Sequence, residues 1–368
     1  MQDNNIIYYL ALQSAGGIGD INAKKLIAHC GSAKAVFKEK KTILEKIPGV
    51  GKSVIQGLKN KKLFINAEKE ITFIQKNNIS VFPFLDDAYP EKLKHCIDGP
   101  ILLFQKGNIN LKNQKIISIV GTRQMTNYGK AFLEEFISDL KKHNPVIISG
   151  LAYGVDIFTH KLAIKNSIQT IAVLAHGLDM IYPKINTKEA KKMIENGGLI
   201  TDFWSNTNPD RENFVKRNRI VAGISEATIV IESAAKGGSL ITADIANSYN
   251  RDVFAVPGRT SDQFSIGCNQ LIKSNKAAMI TSVKDLEYIL NWKLDKEHKP
   301  RSIQKQLFVE LTDEEKKVFK YLLKEGKQSL DIIALHCKFP IQKTATILFN
   351  LEMKGVVKPI PGKLFEAI

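Results

Sequence analysis

The sequence predicts an α/β protein with a doubly wound parallel sheet in the middle of the chain. A helical segment precedes the sheet and a winged helix follows it. Three observations carry this reading. Short β-branched apolar runs alternate with helix-length amphipathic stretches between residues 116 and 280. Paired glycine turns punctuate helical stretches before residue 110. Three helix candidates and a hairpin close the chain.

Residues 1–110 read as mainly helical. Gly17-Ile18-Gly19 opens one helical stretch, and Gly49-Val50-Gly51, 32 positions later, opens another. Helix-hairpin-helix-like turns of this kind put backbone N–H groups at a helix start. There they either hold a phosphate or simply make the tight turns of a small, SAM-like helical bundle; the glycines satisfy both.

Residues 111–290 hold the alternating pattern. Candidate strands are Ile116–Gly121, Pro145–Gly150, Thr170–Gly177, Leu199–Phe203, Ala227–Ser233 and Asp252–Gly258, with a seventh at Ala277–Ile280. Runs of this composition are buried on both faces of a parallel sheet. Asn127–His143, Val155–Asn166, Asn186–Glu195 and Leu240–Asn250 are the intervening helices, joined by right-handed crossovers.

Residues 291–306 are polar and aperiodic and read as a linker, leaving 307–368 as the last domain. Its helices are Thr312–Glu325, Leu330–His336 and Pro340–Lys354, the first opened by a Thr312/Glu315 capping box. Val356–Pro359 and Leu364–Ile368 form the hairpin across Pro361-Gly362-Lys363. The recognition helix of this winged helix has only Lys343 and Lys354 against Glu352, which favours protein contact or dimerisation over DNA reading.

Composition narrows the function classes. The 368 residues carry 53 Lys+Arg against 37 Asp+Glu, a formal charge of +16 that attracts phosphate-rich partners. The excess is spread as +6, +5 and +5 over 1–110, 111–290 and 291–368 and marks no site. Arginine is less even: of seven, six (Arg123, Arg211, Arg217, Arg219, Arg251 and Arg259) lie between 123 and 259. Guanidinium binds phosphate bidentately, so this cluster is the sharper clue. With 44% apolar and 24% charged residues the chain is neither disordered nor fibrous. The N-terminal apolar run is too short for a signal peptide or a membrane span, and a soluble, cytoplasmic protein is expected. Four separated cysteines with no C-x-x-C pair suit a reducing compartment. The pairs His29-Cys30, His95-Cys96 and His336-Cys337 lack zinc spacing, so no metal is expected.

Ligands of an open parallel sheet bind at the carboxyl ends of its strands. There the first strand runs into Gly121-Thr122-Arg123-Gln124-Met125-Thr126 and a helix start. Glycine for close approach, two hydroxyls, a cation and helix N–H groups make a phosphate cradle. The second strand leads to Gly150, Ala152, Gly154 and Asp156, the third to His176-Gly177-Leu178-Asp179, and the fifth to Lys236-Gly237-Gly238-Ser239. Neither G-x-G-x-x-G nor a P-loop occurs at these positions. Arg211-Glu212-Asn213-Phe214-Val215-Lys216-Arg217-Asn218-Arg219 sets four cations around one aromatic, a mix suited to single-stranded nucleic acid. No G-x-S-x-G elbow, H-E-x-x-H or paired-carboxylate motif occurs; His160 reads as a helix residue, and His176 is placed to donate to phosphate.

These residues resemble the DprA (Smf) family of DNA-processing proteins. The resemblance runs through Gly121-Thr122-Arg123 with Tyr128-Gly129, Ser149-Gly150-Leu151-Ala152-Tyr153-Gly154-Val155-Asp156, and Gly177-Leu178-Asp179 with Tyr182-Pro183 and Asn186. It continues through Phe214, Arg217-Asn218-Arg219-Ile220-Val221-Ala222-Gly223, Gly238-Ser239-Leu240-Ile241-Thr242-Ala243 and Val253-Phe254-Ala255-Val256-Pro257-Gly258. The resemblance implies a Rossmann-like domain in a non-enzymatic, cofactor-free protein. Such a protein binds single-stranded DNA entering in natural transformation, shields it and helps load RecA, as a homodimer. By position, Gly121, Thr122, Arg123 and Thr126 would form the phosphate pocket beside Gly150 and Gly237, Gly238 and Ser239. Phe214 would stack on a base, with Arg211, Arg217, Asn218 and Arg219 along the backbone. The family commonly has Pro after that Phe, where this chain has Val215. The alternative is a Rossmann-fold nucleotide phosphoribohydrolase-like enzyme, whose P-G-G-x-G-T loop and following Glu are not matched by Lys236–Asp244.

Overall fold

The computed structural model describes residues 3–112, 114–292, 311–360 and 364–367. The chain divides into two compact units, Met1–Leu294 and Asp295–Ile368.

The first unit opens with α1 (Asp3–Ser14), α2 (Asp20–Cys30), α3 (Ala33–Val36), α4 (Lys41–Leu44), α5 (Lys52–Leu58) and α6 (Lys62–Lys76). The glycine repeat is built into contacts that mirror each other. Gly17 and Gly49 both take left-handed φ, 79° and 90°, and Gly19 and Gly51 then cap α2 and α5. Gly17 lies against Ser53 and Val54 of α5, while Gly49 lies against Asn22 and Lys25 of α2. Each turn is seated on the opposite repeat's helix, around a core that includes Leu10, Leu26 and Val54.

A mixed sheet follows. Its strands are β1 (Ser80–Pro83), β2 (Leu102–Asn108), β3 (Ile116–Val120), β4 (Val146–Ser149), β5 (Thr170–Val173), β6 (Gly197–Thr201), β7 (Ala227–Val230), β8 (Asp252–Ala255) and β9 (Ala278–Met279). Between them lie α7 (Glu91–Lys94), α8 (Asn127–Leu140), α9 (Val155–Lys165), α10 (Thr187–Met193), α11 (Arg211–Ile224), α12 (Gly238–Ser248) and α13 (Ile266–Lys273), with α14 (Val283–Ile289) last. The spatial order is β1-β2-β6-β5-β4-β3-β7-β8-β9. From β6 to β9 all neighbours are parallel; β2 runs antiparallel to β1 and β6. Succession runs outward from β3 to β6, then resumes on the other side at β7, so the switch point lies between β3 and β7.

Helices α8, α9 and α14 cover one face, over Ile117, Ile119, Ile147, Ile229 and Phe254. Helices α11, α12 and α13 cover the other, over Val120, Ile148, Val173 and Val230. Strands with both faces buried are what the unbroken apolar runs require.

The mainly helical reading of 1–110 is corrected here, because β1 and β2 belong to the main sheet. Ile101-Leu102-Leu103-Phe104 is wholly apolar, so it shows no polar alternation from which to read a strand. In the fold, Leu102 and Phe104 face the helical bundle while Leu103 faces the α11 side. Residue 110 therefore does not separate two bodies. The expected linker at 291–306 also begins inside this unit: Trp292 is buried against the α8/α14 core. Its remainder, from 293, lies outside the described residues.

The second unit comprises α15 (Asp313–Glu325), β10 (Gln328–Ser329), α16 (Leu330–Cys337), α17 (Ile341–Met353), β11 (Val357–Ile360) and β12 (Leu364–Ala367). It is a winged helix, with a small antiparallel sheet ordered β10-β12-β11 and a core of Val318, Leu322, Ile333, Leu348 and Leu351. The capping box forms as expected: Thr312 N–H donates to Glu315 Oε2 at 2.8 Å, and Glu315 N–H donates to Thr312 Oγ1 at 3.3 Å. The expected turn at 361–363 and Ile368 fall outside the described residues. Lys343 of α17 is paired with Glu314, and Lys354, which caps its C-terminus, with Glu315, so both cations are tied to α15. Its outward side shows Ile341, Phe349 and Met353 instead. Among the described residues no helix is long and apolar enough to cross a membrane.

Two polar groups, one half-buried and one fully buried, hold the first unit's layers in register. Arg219 of α11 donates to Asp20 at 3.1 Å, to Asp202 at 2.5 Å and to the Asp98 carbonyl, joining α2 and the segments around β2 and β6. Burial lowers its pKa, but the carboxylates of Asp202, Asp20 and Asp98 outweigh this and raise it. His160 of α9 is fully buried between Thr170 Oγ1 (2.7 Å) and the Gly150 carbonyl (2.6 Å). A carbonyl only accepts, so Nε2 carries the proton and Nδ1 accepts from the threonine. Burial, opposed by the Gly150 hydrogen bond, brings its pKa down to about 4.

Arg219→Met should lower the urea-unfolding free energy by about 3–5 kcal/mol, because it strands the buried Asp202 carboxylate; Arg219→Lys should lose less. For His160 the folded pKa lies below the unfolded value of about 6.5, so its contribution is complete above that pH and lost as pH falls toward about 4. The stability difference between wild type and His160→Gln should therefore shrink by up to about 1.4 kcal/mol per pH unit across that window, measured by urea melts.

Candidate nucleic-acid interface

The carboxyl ends of β3, β4 and β7 converge on the switch point. A cleft of about 90 Å³ opens there, lined by Arg123, Gly150, Asp156, Phe214, Arg217, Asn218 and the Gly238–Ser239 start of α12 among others. Of the four glycine-bearing loops expected at this edge, those after β3, β4 and β7 contribute to the lining together with α11, while the His176–Asp179 loop does not.

Arg217 forms the floor. It is 6% exposed; its guanidinium donates to the Val173 carbonyl, and Nε donates to Asn218 Oδ1 at 3.2 Å. Asp156 sits opposite, across Gly150. A Cβ on Gly150 would lie 2.4 Å from Asp156 Oδ2 and 2.6 Å from Arg217 Nη1, so a side chain there would push these charged ends aside. Burial pushes the Asp156 carboxyl up, against the pull of Arg217. Burial also lowers Arg217, against the pull of Asp156, yet an arginine remains charged.

Phe214 lies in the first turns of α11, so the aromatic is carried by a helix and not by a loop. Val215, the departure from the family's Pro, is an exposed residue of the same helix. The half-buried Phe214 ring has Arg123 Cζ over it at 5.5 Å and Arg217 Cζ at 5.9 Å. Tyr182 meets it edge-on at 6.2 Å and is 46% exposed. Such cation–aromatic packing presents charge and a flat apolar surface together.

Two helix N-termini face this region, and they differ. At α8, Thr126 is the N-cap, but its N–H donates to Glu232 Oε2 at 2.8 Å and its hydroxyl to Glu232 Oε1. The expected phosphate contact at Thr126 is therefore corrected: a buried carboxylate of the chain already fills that electropositive end. Thr122 N–H donates to the Glu232 carbonyl at 2.7 Å, and Thr122 Oγ1 accepts from Gln124 N–H. At α12 the N-cap is Gly237, which has no capping side chain, and the first turn looks into the cleft. Ser239 is buried and donates to Ser233 Oγ at 2.9 Å, while Asn218 Nδ2 reaches the Gly238 carbonyl at 3.4 Å.

The other expected residues divide clearly. Gly121 packs the β3 exit tightly: a Cβ there would lie 2.5 Å from Val155 Cγ2. Arg211 is exposed at the start of α11. Arg219 does not reach the cleft, since one helical residue on from Asn218 it points to Asp20, Asp98 and Asp202. His176 is buried, bonded to the Gly177 carbonyl at 2.8 Å and accepting Tyr182 N–H at 3.3 Å, which corrects its reading as a phosphate donor. The sequence reading missed Glu232 and Tyr182 as site residues. Nothing about a strand-end Glu marks it as filling a helix terminus; Tyr182 was quoted only as a motif residue.

Comparison with known proteins adds an independent line. The family model for DNA recombination-mediator protein A matches residues 80–291, and that for the DprA winged helix domain matches residues 305–363. Protein Smf of Synechocystis is 32% identical over 290 residues, covering 78% of this chain and 73% of that protein. DNA processing protein DprA of Streptococcus pneumoniae is 40% identical over 206 residues, covering 56% and 72%. The X-ray structure of DprA from Streptococcus pneumoniae matches with a TM-score of 0.63 at 31% identity, covering 78% of this chain and 98% of that one. DprA from Helicobacter pylori, whose structure is described as giving insights into its single-stranded DNA binding mode, matches with a TM-score of 0.52 at 28% identity, covering 58% and 95%. With one model spanning more than half the chain and both of its units matched, the chain belongs to the DprA (Smf) family, that of DNA recombination-mediator protein A.

Proposed function

We propose that this protein binds single-stranded DNA in the cleft at the β3/β7 switch point and acts in DNA recombination. One observation carries the reading: the uncapped N-terminus of α12 opens onto a buried arginine beside an aromatic ring flanked by two guanidiniums. A helix terminus and guanidiniums take a phosphate, and the ring takes a base. Arg123 and Arg217 are the phosphate ligands, Arg211 extends the cationic track, and Phe214 with Tyr182 forms the stacking surface.

Within the family reading, the protein shields a strand entering during natural transformation and helps load RecA onto it. It works in the cytoplasm as a homodimer, without catalysis or cofactor. Size weighs against the phosphoribohydrolase alternative. Sites for whole small molecules occupy about 300–1,000 Å³, whereas this cleft measures about 90 Å³, enough for a phosphate group. The winged helix, whose α17 lysines are both paired, is read as a protein-contact module.

With Arg123, Arg211 and Arg217 as phosphate contacts, log K for an oligothymidylate should fall with log salt at a slope of about −2, from roughly −0.7 per contact. Arg123→Ala should weaken binding and flatten that slope in anisotropy titrations; unaltered affinity would remove the cleft from consideration. Phe214→Ala should cost about 1–3 kcal/mol of binding while the slope persists. Duplex of the same length should compete poorly, and a preference for duplex would overturn the reading.

A further inference from the structure

Glu232 lies two residues past the end of β7, and it holds both ends of the loop that carries Arg123. Its carbonyl accepts Thr122 N–H at 2.7 Å, on one side of Arg123. Its carboxylate accepts the N–H of Thr126 at 2.8 Å and the Thr126 hydroxyl, on the other side. The side chain is only 3% exposed, so it is packed in place and makes no contact with a ligand in solvent. Gly129 of α8 is shaped around it: a Cβ there would lie 2.8 Å from the carboxyl carbon and from Oε2. The loop is further braced by Val155 N–H, which donates to the Thr122 carbonyl at 3.1 Å.

A carboxylate in this place is the electrostatic equivalent of a phosphate. The N-terminus of a helix after the first strand of a switch point is where a nucleotide's phosphate is favoured. Here the chain supplies the anion itself. We propose that Glu232 is a positioning residue for the cleft: a tethered anion that fills the α8 terminus and fixes the 122–126 loop so that Arg123 lies over Phe214. The ligand's phosphate is thereby directed to the remaining open terminus, that of α12. Arg123 is exposed, and a long exposed cation loses considerable side-chain freedom on binding. A loop already fixed at both ends removes the backbone part of that cost.

This inference rests on the cleft being the site of single-stranded DNA. The test is a double-mutant cycle on the full chain: wild type, Arg123→Ala, Glu232→Ala and the double variant, titrated against fluorescein-labelled oligothymidylate. Each single change should weaken binding about ten-fold, and the double variant should bind no more weakly than Arg123→Ala alone. A residue that merely supports the fold would give additive losses, which would overturn the proposal, as would undiminished affinity of Glu232→Ala. If Arg123→Ala alone leaves affinity unchanged, the cleft reading itself fails, a distinct result. Should Glu232→Ala not fold, Gly129→Ala takes its place in the cycle, because its methyl group displaces the carboxylate while alanine suits a helix. Glu232→Gln keeps two hydrogen-bonding atoms at Thr126 but removes the anion, so its loss of affinity should be smaller than that of Glu232→Ala. A folded Glu232→Gln that loses as much affinity as Glu232→Ala would overturn the proposal.

Discussion

A guanidinium held almost out of water sets the terms at the centre of this molecule. Burying the Arg217 charge costs several kcal/mol unless its donors are engaged and an opposite charge is near. The chain meets that constraint with the Val173 carbonyl, Asn218 and, across a residue without a side chain, Asp156. A side chain at Gly150 would displace the charged ends of both, and its carbonyl is held by His160, a histidine kept neutral by burial. A charged imidazolium there would add a second cation close to Arg217. Because the surroundings of Arg217 are poorly screened, an anion arriving at the cleft is drawn more strongly than it would be at a surface lysine.

The same electrostatics explain why one edge of the sheet yields one cleft. Both α8 and α12 begin at the carboxyl end of a strand and carry partial positive charge at their first turns. The α8 terminus is neutralised from within by Glu232, whereas the α12 terminus has only Gly237 as its cap. What resembles a series of equivalent phosphate cradles is resolved into one closed terminus and one open terminus. The open one stands beside Arg217 and the Phe214 ring.

Arginine content alone would have assigned these roles differently. Arg217 and Arg219 are two residues apart on α11, and a helix turns about 200° over that interval, so they face opposite sides. One lines the cleft; the other joins Asp20, Asp98 and Asp202 and fastens the helical bundle to the sheet. The lysines of α17 show the same division of labour in the second unit, where ion pairs to α15 absorb the charge of a helix that would otherwise be positioned to read DNA.

The sequence by itself determined the alternation of strands and helices from 116 to 280, the winged helix and the paired glycine turns. These depend on local periodicity and on turn chemistry, which neighbours in the chain specify. It also determined residues that meet in the cleft, Arg123, Gly150, Phe214 and Gly238 among them, because an open parallel sheet always brings strand exits to one edge. Only the tertiary structure decided that Leu102–Asn108 is a strand, since its apolar start, buried on both sides, has no alternation to read. Only it decided which arginine faces the ligand, and which helix terminus is already filled by Glu232, a carboxylate 106 positions away from the Thr126 it caps. Those outcomes depend on the angle at which a side chain leaves its helix and on contacts between distant segments, and neither is written in local pattern.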